Sequence, residues 1–363
     1  MRFDNPIHDH GFNFPDIADF PDVRHEQRYQ DDKASNRIIE EIETRQYQHM
    51  IPLVDQLIEH SEKQMPIQGA MERGFIQKWR KLLTKTLNFY QTFHASFMPA
   101  KANEILPNKI FESLFERGWW AGTCNADKSL AELLKPEIDQ LLEKPDGTPD
   151  VGSYDRAIPN CSKDKNKQAQ VLSILNTHLR KMGVLAAATK YNKTGKLLVR
   201  KATLHVSKPT DKHLFQTYQD CKTISKTTNL HMDPKESLIK CSLYMTPVEE
   251  DDGPIYYIDT SNRWMYNELD SIFGRAISVG CYCYNPISRR SVFRLPSRFR
   301  KSYLFGRNIL DGTPEQKMLL DKAKRITNKK YGNFSIFDPG NTMHTGGWPK
   351  KGHRVNLQIQ IRM

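Results

Sequence analysis

His344-Thr345-Gly346-Gly347-Trp348-Pro349-Lys350-Lys351-Gly352-His353-Arg354-Val355-Asn356-Leu357-Gln358-Ile359-Gln360-Ile361 joins a strand end to an alternating strand through a turn rich in Gly and Pro. Successive strand side chains point to opposite faces. Arg354, Asn356, Gln358 and Gln360 therefore share one face, and Val355, Leu357, Ile359 and Ile361 the other. Arg354 lies ten residues past His344 and returns along the next strand toward it. A second short stretch, His231-Met232-Asp233, belongs with the first. In a strand, His231 and Asp233 point together while Met232 turns away. His344 brought beside them completes two imidazoles and a carboxylate on one side of a metal ion, leaving the opposite side open. A guanidinium at Arg354 would hold a carboxylate there in a two-pronged ion pair.

The run from Ser237 to Thr246 alternates in the same way. Lys240, Ser242, Tyr244 and Thr246 fall on one face, against Ile239, Cys241, Leu243 and Met245. A barrel or sandwich with a wet, ligand-bearing interior accounts for two such strands, their apolar faces packing outward on helices. An ordinary sheet with one solvated face gives the same pattern. The place of Arg354 on the polar side favours the barrel. Further strands are expected at 197–206, 214–218, 255–258, 276–284, 291–295 and 333–338. Asp251-Asp252-Gly253-Pro254 forms a turn. One helix is capped by Thr313 with Pro314 at its first position.

Upstream the period is helical. Ser35 or Asn36 caps a run carrying Ile38, Ile39 and Ile42, then Met50, Leu53 and Leu57. Helices follow over 70–95, 109–117, 127–144 (interrupted at Pro136) and 167–190. Residues 146–168 read as a linker or exposed loop. Residues 1–34 read as an extended, solvated arm containing His8-Asp9-His10, because terminal arms seldom preorganise ligands. The expected organisation is that arm, a helical region over 35–195, and a catalytic core over 196–363.

The totals set bounds. The chain has 363 residues, of which 38% are hydrophobic and 26% charged. A chain of that size and make-up can bury a sizeable core. No stretch is apolar for long enough to span a membrane. The opening Met1-Arg2-Phe3-Asp4-Asn5 does not read as a secretory signal. Cys124, Cys161, Cys221, Cys241, Cys281 and Cys283 have no framework spacing. That suggests reduced thiols and a cytoplasmic setting. The net charge of +12 favours anionic partners without choosing among them.

On these residues the chain resembles the iron(II)/2-oxoglutarate-dependent dioxygenases, in the branch typified by phytanoyl-CoA dioxygenase. The likeness is carried by His231-Met232-Asp233, by Asp252-Gly253-Pro254-Ile255-Tyr256-Tyr257-Ile258-Asp259-Thr260-Ser261-Asn262, by Tyr331 to Asp338 leading to His344, and by Arg354. Ile110 to Gly122 is similar to the entry helix of such enzymes. The resemblance implies an α+β protein with a double-stranded β-helix (jelly roll) core under N-terminal helices. It implies that His231, Asp233 and His344 bind Fe(II) and that 2-oxoglutarate chelates the open side. Arg354 would pair with the distal carboxylate of this cosubstrate, helped by Lys240 or Ser242, with O2 as oxidant. Asp259-Thr260-Ser261-Asn262 departs from the family's Pro-Gly-Ser-His. Retention of Asp233 favours hydroxylation over halogenation.

Between Pro286 and Arg307 stand Arg289, Arg290, Arg294, Arg298, Arg300, Lys301 and Arg307 with no acidic residue. Phe293, Phe299, Tyr303 and Phe305 are interleaved. The segment suits an active-site cover for an anionic or phosphorylated small molecule, with rings that stack on a base or sugar. A solvated basic loop over its own aromatics is the plainer reading. Two other function classes stay open: a nucleic-acid-binding or nucleic-acid-modifying protein using this stretch, and a metal-free scaffold of the same fold.

Overall fold

A computed structural model describes residues 16–19, 25–44, 49–97, 108–143, 154–156, 164–192, 196–207, 230, 239–263, 286–300, 314–327, 332–347 and 349–362. Three helices come first: α1 (Lys33–Thr44), α2 (Met50–Gln64) and α3 (Gly69–Phe97). Next are α4 (Lys109–Arg117), β1 (Trp119–Thr123), α5 (Asp127–Leu142), β2 (Tyr154–Arg156), α6 (Lys165–Lys181) and α7 (Val184–Asn192). The sheet-forming half holds β3 (Leu198–Ser207), β4 (Ile239–Tyr244) and β5 (Tyr256–Tyr257), then α8 (Pro286–Phe293) and α9 (Pro314–Lys322). It ends with β6 (Lys324–Arg325), β7 (Asn333–Phe337), β8 (His344–Thr345) and β9 (Arg354–Arg362).

The fold is α+β. A large antiparallel sheet has the order β1-β7-β4-β9-β3-β2, and a small one the order β6-β5-β8. The apolar faces of the alternating strands lie outward, as their sequence requires. Val199, Ala202, Leu204, Cys241, Leu243, Ile336, Leu357 and Ile359 form one buried cluster with Leu114 of α4, Leu130 and Leu134 of α5, Leu175 of α6 and Ala188 of α7. Each Leu or Ile fully buried there contributes about 1.5–3 kcal/mol.

Local chemistry sets the helix ends. Asp32, not Ser35, caps α1. Its Oδ1 accepts the Ser35 N–H at 2.8 Å, while the Ser35 Oγ accepts the Asp32 N–H at 3.0 Å. Asn108 Oδ1 accepts the N–H groups of Ile110 and Phe111, and Gly118 closes α4 in the left-handed region at φ 86°, where a residue without a side chain is at home. The expected helix over 167–190 is two helices, because Gly183 at φ 78° turns the chain between α6 and α7; glycine takes that conformation without steric cost. Pro136 lies inside α5 without ending it, since Leu130, Leu134 and Leu141 anchor both sides of the proline in the core.

The expected strand at 291–295 is the end of α8, which starts at Pro286, a residue suited to the first helical turn. The strands expected at 214–218 and 276–284, the cap at Thr313 and the cluster His8-Asp9-His10 lie outside the described residues. Within the described part of the arm Asp16, Ala18 and Tyr29 are buried, while most of the other described positions are exposed or half-buried. Among the described residues no helix is long and apolar enough to cross a membrane.

Candidate functional site

Register places the polar strand positions in rows across the inner face of the large sheet. Phe337, Lys240, Gln360 and Lys201 are successive cross-strand partners, as are Ser335, Ser242, Gln358 and Thr203. Beyond them come Tyr244, Asn356 and His205, and finally Arg354 opposite Ser207. The small sheet covers this face. Tyr257 and Ser335 share a hydroxyl–hydroxyl hydrogen bond of 2.9 Å, and the Ile255 N–H donates to the Tyr244 hydroxyl at 2.8 Å. Ser242, Tyr244, Arg354 and Asn356 are all buried, so the face is an interior and not a solvated side.

His344 pairs with Tyr257 across β8 and β5 and is buried. Rings run toward it in sequence: Trp119 to Tyr257 at 5.3 Å, Tyr257 to Phe337 at 4.9 Å, Phe337 to His344 at 4.7 Å between centroids. Its Nδ1 lies 2.8 Å from the Thr342 carbonyl oxygen. A carbonyl only accepts, so Nδ1 carries the proton and Nε2 is the basic nitrogen, the tautomer a metal-binding imidazole uses.

The loop bearing His344 is tied on both sides. Thr342 Oγ1 donates to the Gly118 carbonyl at 2.8 Å, and the Met343 N–H donates to Ser261 Oγ at 2.8 Å. A Cβ on Gly118 would lie 2.4 Å from Thr342 Oγ1. Asp259 accepts from Arg117 Nε at 3.0 Å and from Trp119 Nε1 at 2.8 Å, while the Arg117 guanidinium lies 4.1 Å from the Trp119 ring centroid. Asn262 Nδ2 donates to the carbonyls of Leu114 and Phe115 at the end of α4. The stretch that departs from the family's pattern is thus a lock between α4, β1 and the His344 loop. Its signal in the sequence was the departure itself.

Arg354 is 2% exposed at the head of β9. Its Nη2 donates to Ser207 Oγ at 3.2 Å, and its guanidinium carbon lies 5.8 Å from the Tyr244 ring centroid. Ser242 Oγ donates to Asn356 Oδ1 at 2.5 Å, so this hydroxyl orients Asn356 in the row beside Arg354. Lys240 is placed differently from the sequence expectation. Its partner Gln360 is six residues along β9 from Arg354. At strand rise that separation is roughly 20 Å. Lys240 therefore does not share the Arg354 end of the face.

His231 and Asp233 lie outside the described residues. Among the described residues no three His, Cys, Asp or Glu side chains cluster as a metal site. His344 is the one expected ligand whose surroundings are on view, and its tautomer fits the role.

Within the described part of the basic segment three arginines are paired with carboxylates of this chain. Arg294 and Glu72 form a buried ion pair of 2.6 Å, each 2% exposed, and Arg290 Nε adds a contact to Glu72 at 3.3 Å. Arg300 grips Asp16 through Nη2 at 2.6 Å and Nε at 2.8 Å. Phe293 and Phe299 are fully buried. Burial alone would raise the Glu72 carboxyl, but hydrogen bonds from Arg294 and the Gln68 N–H outweigh it and hold it below the usual range. These arginines and rings bind α8 and its continuation to α3 and the arm. Arg289 side-chain contacts and Lys301, Tyr303, Phe305 and Arg307 lie outside the described residues. Cys124 and Cys241 are buried and outside any disulfide, and burial pushes the Cys241 thiol well up.

Fold and site together define an α+β protein with two facing antiparallel sheets, a polar interior, a tied imidazole and a buried guanidinium. No family model matches the chain, and no curated protein matches it. Solved structures do resemble it. The non-heme alpha ketoglutarate dependent carbocyclase SnoK from nogalamycin biosynthesis has a TM-score of 0.40 at 12% identity, over 73% of this chain and 86% of that one. The related epimerase SnoN has a TM-score of 0.40 at 12% identity, over 70% and 81%. HygX from Streptomyces hygroscopicus, with nickel and 2-oxoglutarate bound, has a TM-score of 0.38 at 12% identity, over 71% and 87%.

Proposed function

We propose that the chain is a non-haem Fe(II)/2-oxoglutarate-dependent oxygenase whose two sheets form a double-stranded β-helix. It hydroxylates an anionic small molecule, with O2 as oxidant. The observation that carries this reading is that His344, with its proton on Nδ1, and Arg354, ten residues later, are both buried on two sheets that face each other. His231, Asp233 and His344 would hold the metal. Bound there, Fe(II) and its cosubstrate supply the oxidising chemistry.

The chain's own residues do the rest. Thr342 fixes the imidazole tautomer, and the Ser261–Met343 and Thr342–Gly118 bonds hold the loop still. Ser207 and the Tyr244 ring position the Arg354 guanidinium, whose fork matches a carboxylate in two-pronged geometry. Trp119, Tyr257 and Phe337 exclude water from the imidazole side. Internal pairing of Arg290, Arg294 and Arg300 removes much of the phosphate track that a nucleic-acid reading needs.

The test is anaerobic titration of the Fe(II)-loaded protein with 2-oxoglutarate, read as the weak visible charge-transfer band of the chelate. Arg354→Gln should move the half-saturation point upward by about tenfold or more, the loss of one charge-assisted bond or more. An unchanged titration would refute the role of Arg354.

A further inference from the structure

We infer that Tyr191 on α7 is a positioning residue for His344, acting through the buried carboxylate of Asp338 and the backbone of Thr342. The helical layer then sets where the imidazole stands and does more than cover the sheet. The tether rests on the geometry alone; its consequence for a bound metal rests on the oxygenase reading.

The turn from Asp338 to His344 joins β7 to β8, and all of it is buried except Asn341, which is half-buried. Asp338 organises it. Its Oδ1 accepts the Gly340 N–H at 3.0 Å, and its Oδ2 accepts from Asn341 Nδ2 at 2.6 Å. Its carbonyl accepts the Thr342 N–H at 2.8 Å. An Asp side chain that bonds the backbone two residues on sets a turn in this way. Thr342 thus takes its place from Asp338, and the Thr342 carbonyl in turn holds His344 Nδ1 at 2.8 Å. The same peptide group is fixed from its other side, since the Met343 N–H donates to Ser261 Oγ.

Tyr191 ties that turn to the helices. Its hydroxyl donates to Asp338 Oδ2 at 3.0 Å, across 147 positions of chain. Ala187 and Ala188 lie four and three residues before it, both buried in the core shared with the sheet. The ring therefore starts from the inward face of α7. Lys190 Nζ lies 5.5 Å from the Phe111 ring centroid, which joins α7 to α4, the helix closed by Gly118. The Gly118 carbonyl accepts from Thr342 Oγ1, so both helices grip the same turn. A hydroxyl donating to a buried carboxylate makes a charge-assisted bond, stronger than a neutral one. Groups that orient a ligating imidazole from behind change metal affinity when they are removed.

The experiment reads the His344 imidazole by nitrogen NMR in the metal-free full chain at one fixed pH, then titrates the protein with Co(II) alone. The variants are Tyr191→Phe, Asp338→Asn and, as a control, Asn176→Ala, which removes the bonds of α6 to the Val199 N–H and carbonyl on β3. Wild type should show the proton on Nδ1. In Tyr191→Phe and Asp338→Asn that proton should exchange with water about tenfold faster, and Co(II) affinity should fall about tenfold. Asn176→Ala should lower stability yet leave both readings at wild type. Asp338→Asn weakens the same bond and carries the test should Tyr191→Phe fail to fold. The inference is overturned if folded Tyr191→Phe keeps the wild-type exchange rate, if Asn176→Ala speeds exchange as much, or if all variants bind Co(II) equally. A wild type with its proton on Nε2 overturns it too. Exchange that follows Tyr191 and Asp338 in a protein binding no Co(II) keeps the tether and removes the metal reading.

Discussion

Replacing Glu72 by Gln should destabilise the protein by about 3 kcal/mol, because it leaves a buried guanidinium without its counter-charge. The Glu72 and Arg294 side chains are each 2% exposed and 2.6 Å apart, and Arg290 contacts the same carboxylate. Gln keeps one acceptor oxygen for Arg294, which places the loss at the lower end of the range for broken buried pairs. The assay is equilibrium urea unfolding, with hydrogen exchange over 286–300 to show that the loss is felt in α8. Replacing both partners, Glu72→Gln with Arg294→Met, should recover part of the loss, since no buried charge then lacks a partner there. A Glu72→Gln loss under about 1 kcal/mol, the size expected of an exposed pair, would refute the claim that these arginines bind α8 to α3.

Acid should act through two depressed carboxyls, Glu72 and Asp32. The Ser35 N–H and then the His60 side chain hold Asp32 at about 2 against 3.8. Its contribution to stability is therefore complete above the unfolded value and is lost as pH falls through the folded one. Unfolding curves for Asp32→Asn should be flatter over that window; an unaltered acid limb would contradict the assignment. Gly118 has a left-handed φ of 86°, and a Cβ there would be held 2.4 Å from Thr342 Oγ1. Gly118→Ala should on that account cost about 1–3 kcal/mol. Denaturant midpoints equal to wild type would show that the Gly118–Thr342 approach is not maintained.

Much of the framework was legible in the alternation of two strands. Ser242 and Asn356 face inward, and Cys241 and Leu357 outward, because period two admits no other arrangement once one face is covered by helices. Helix α4 was legible to the residue, since Asn108 and Gly118 mark its ends. Single-residue signals misled where a tertiary partner decided the outcome. Arg294 and Arg300 looked like solvent-facing or ligand-facing charge, but their carboxylates, Glu72 and Asp16, lie more than two hundred positions away in the chain. Lys240 looked like a neighbour of Arg354, because a face can be read from one strand while distance along it requires the register. The register shift between Val199 and Lys201 on β3 left no mark in the sequence, since Arg200 and Lys201 are equally plausible on either side.

The most direct test of the account is the chelate spectrum of three single-ligand variants. With Fe(II) and 2-oxoglutarate under anaerobic conditions, wild type should show the visible band, and His231→Ala, Asp233→Ala and His344→Ala should each lose it while staying folded. A band that survives removal of His344 would contradict the central claim, for it would put the metal somewhere other than beside the imidazole that Thr342 holds in place.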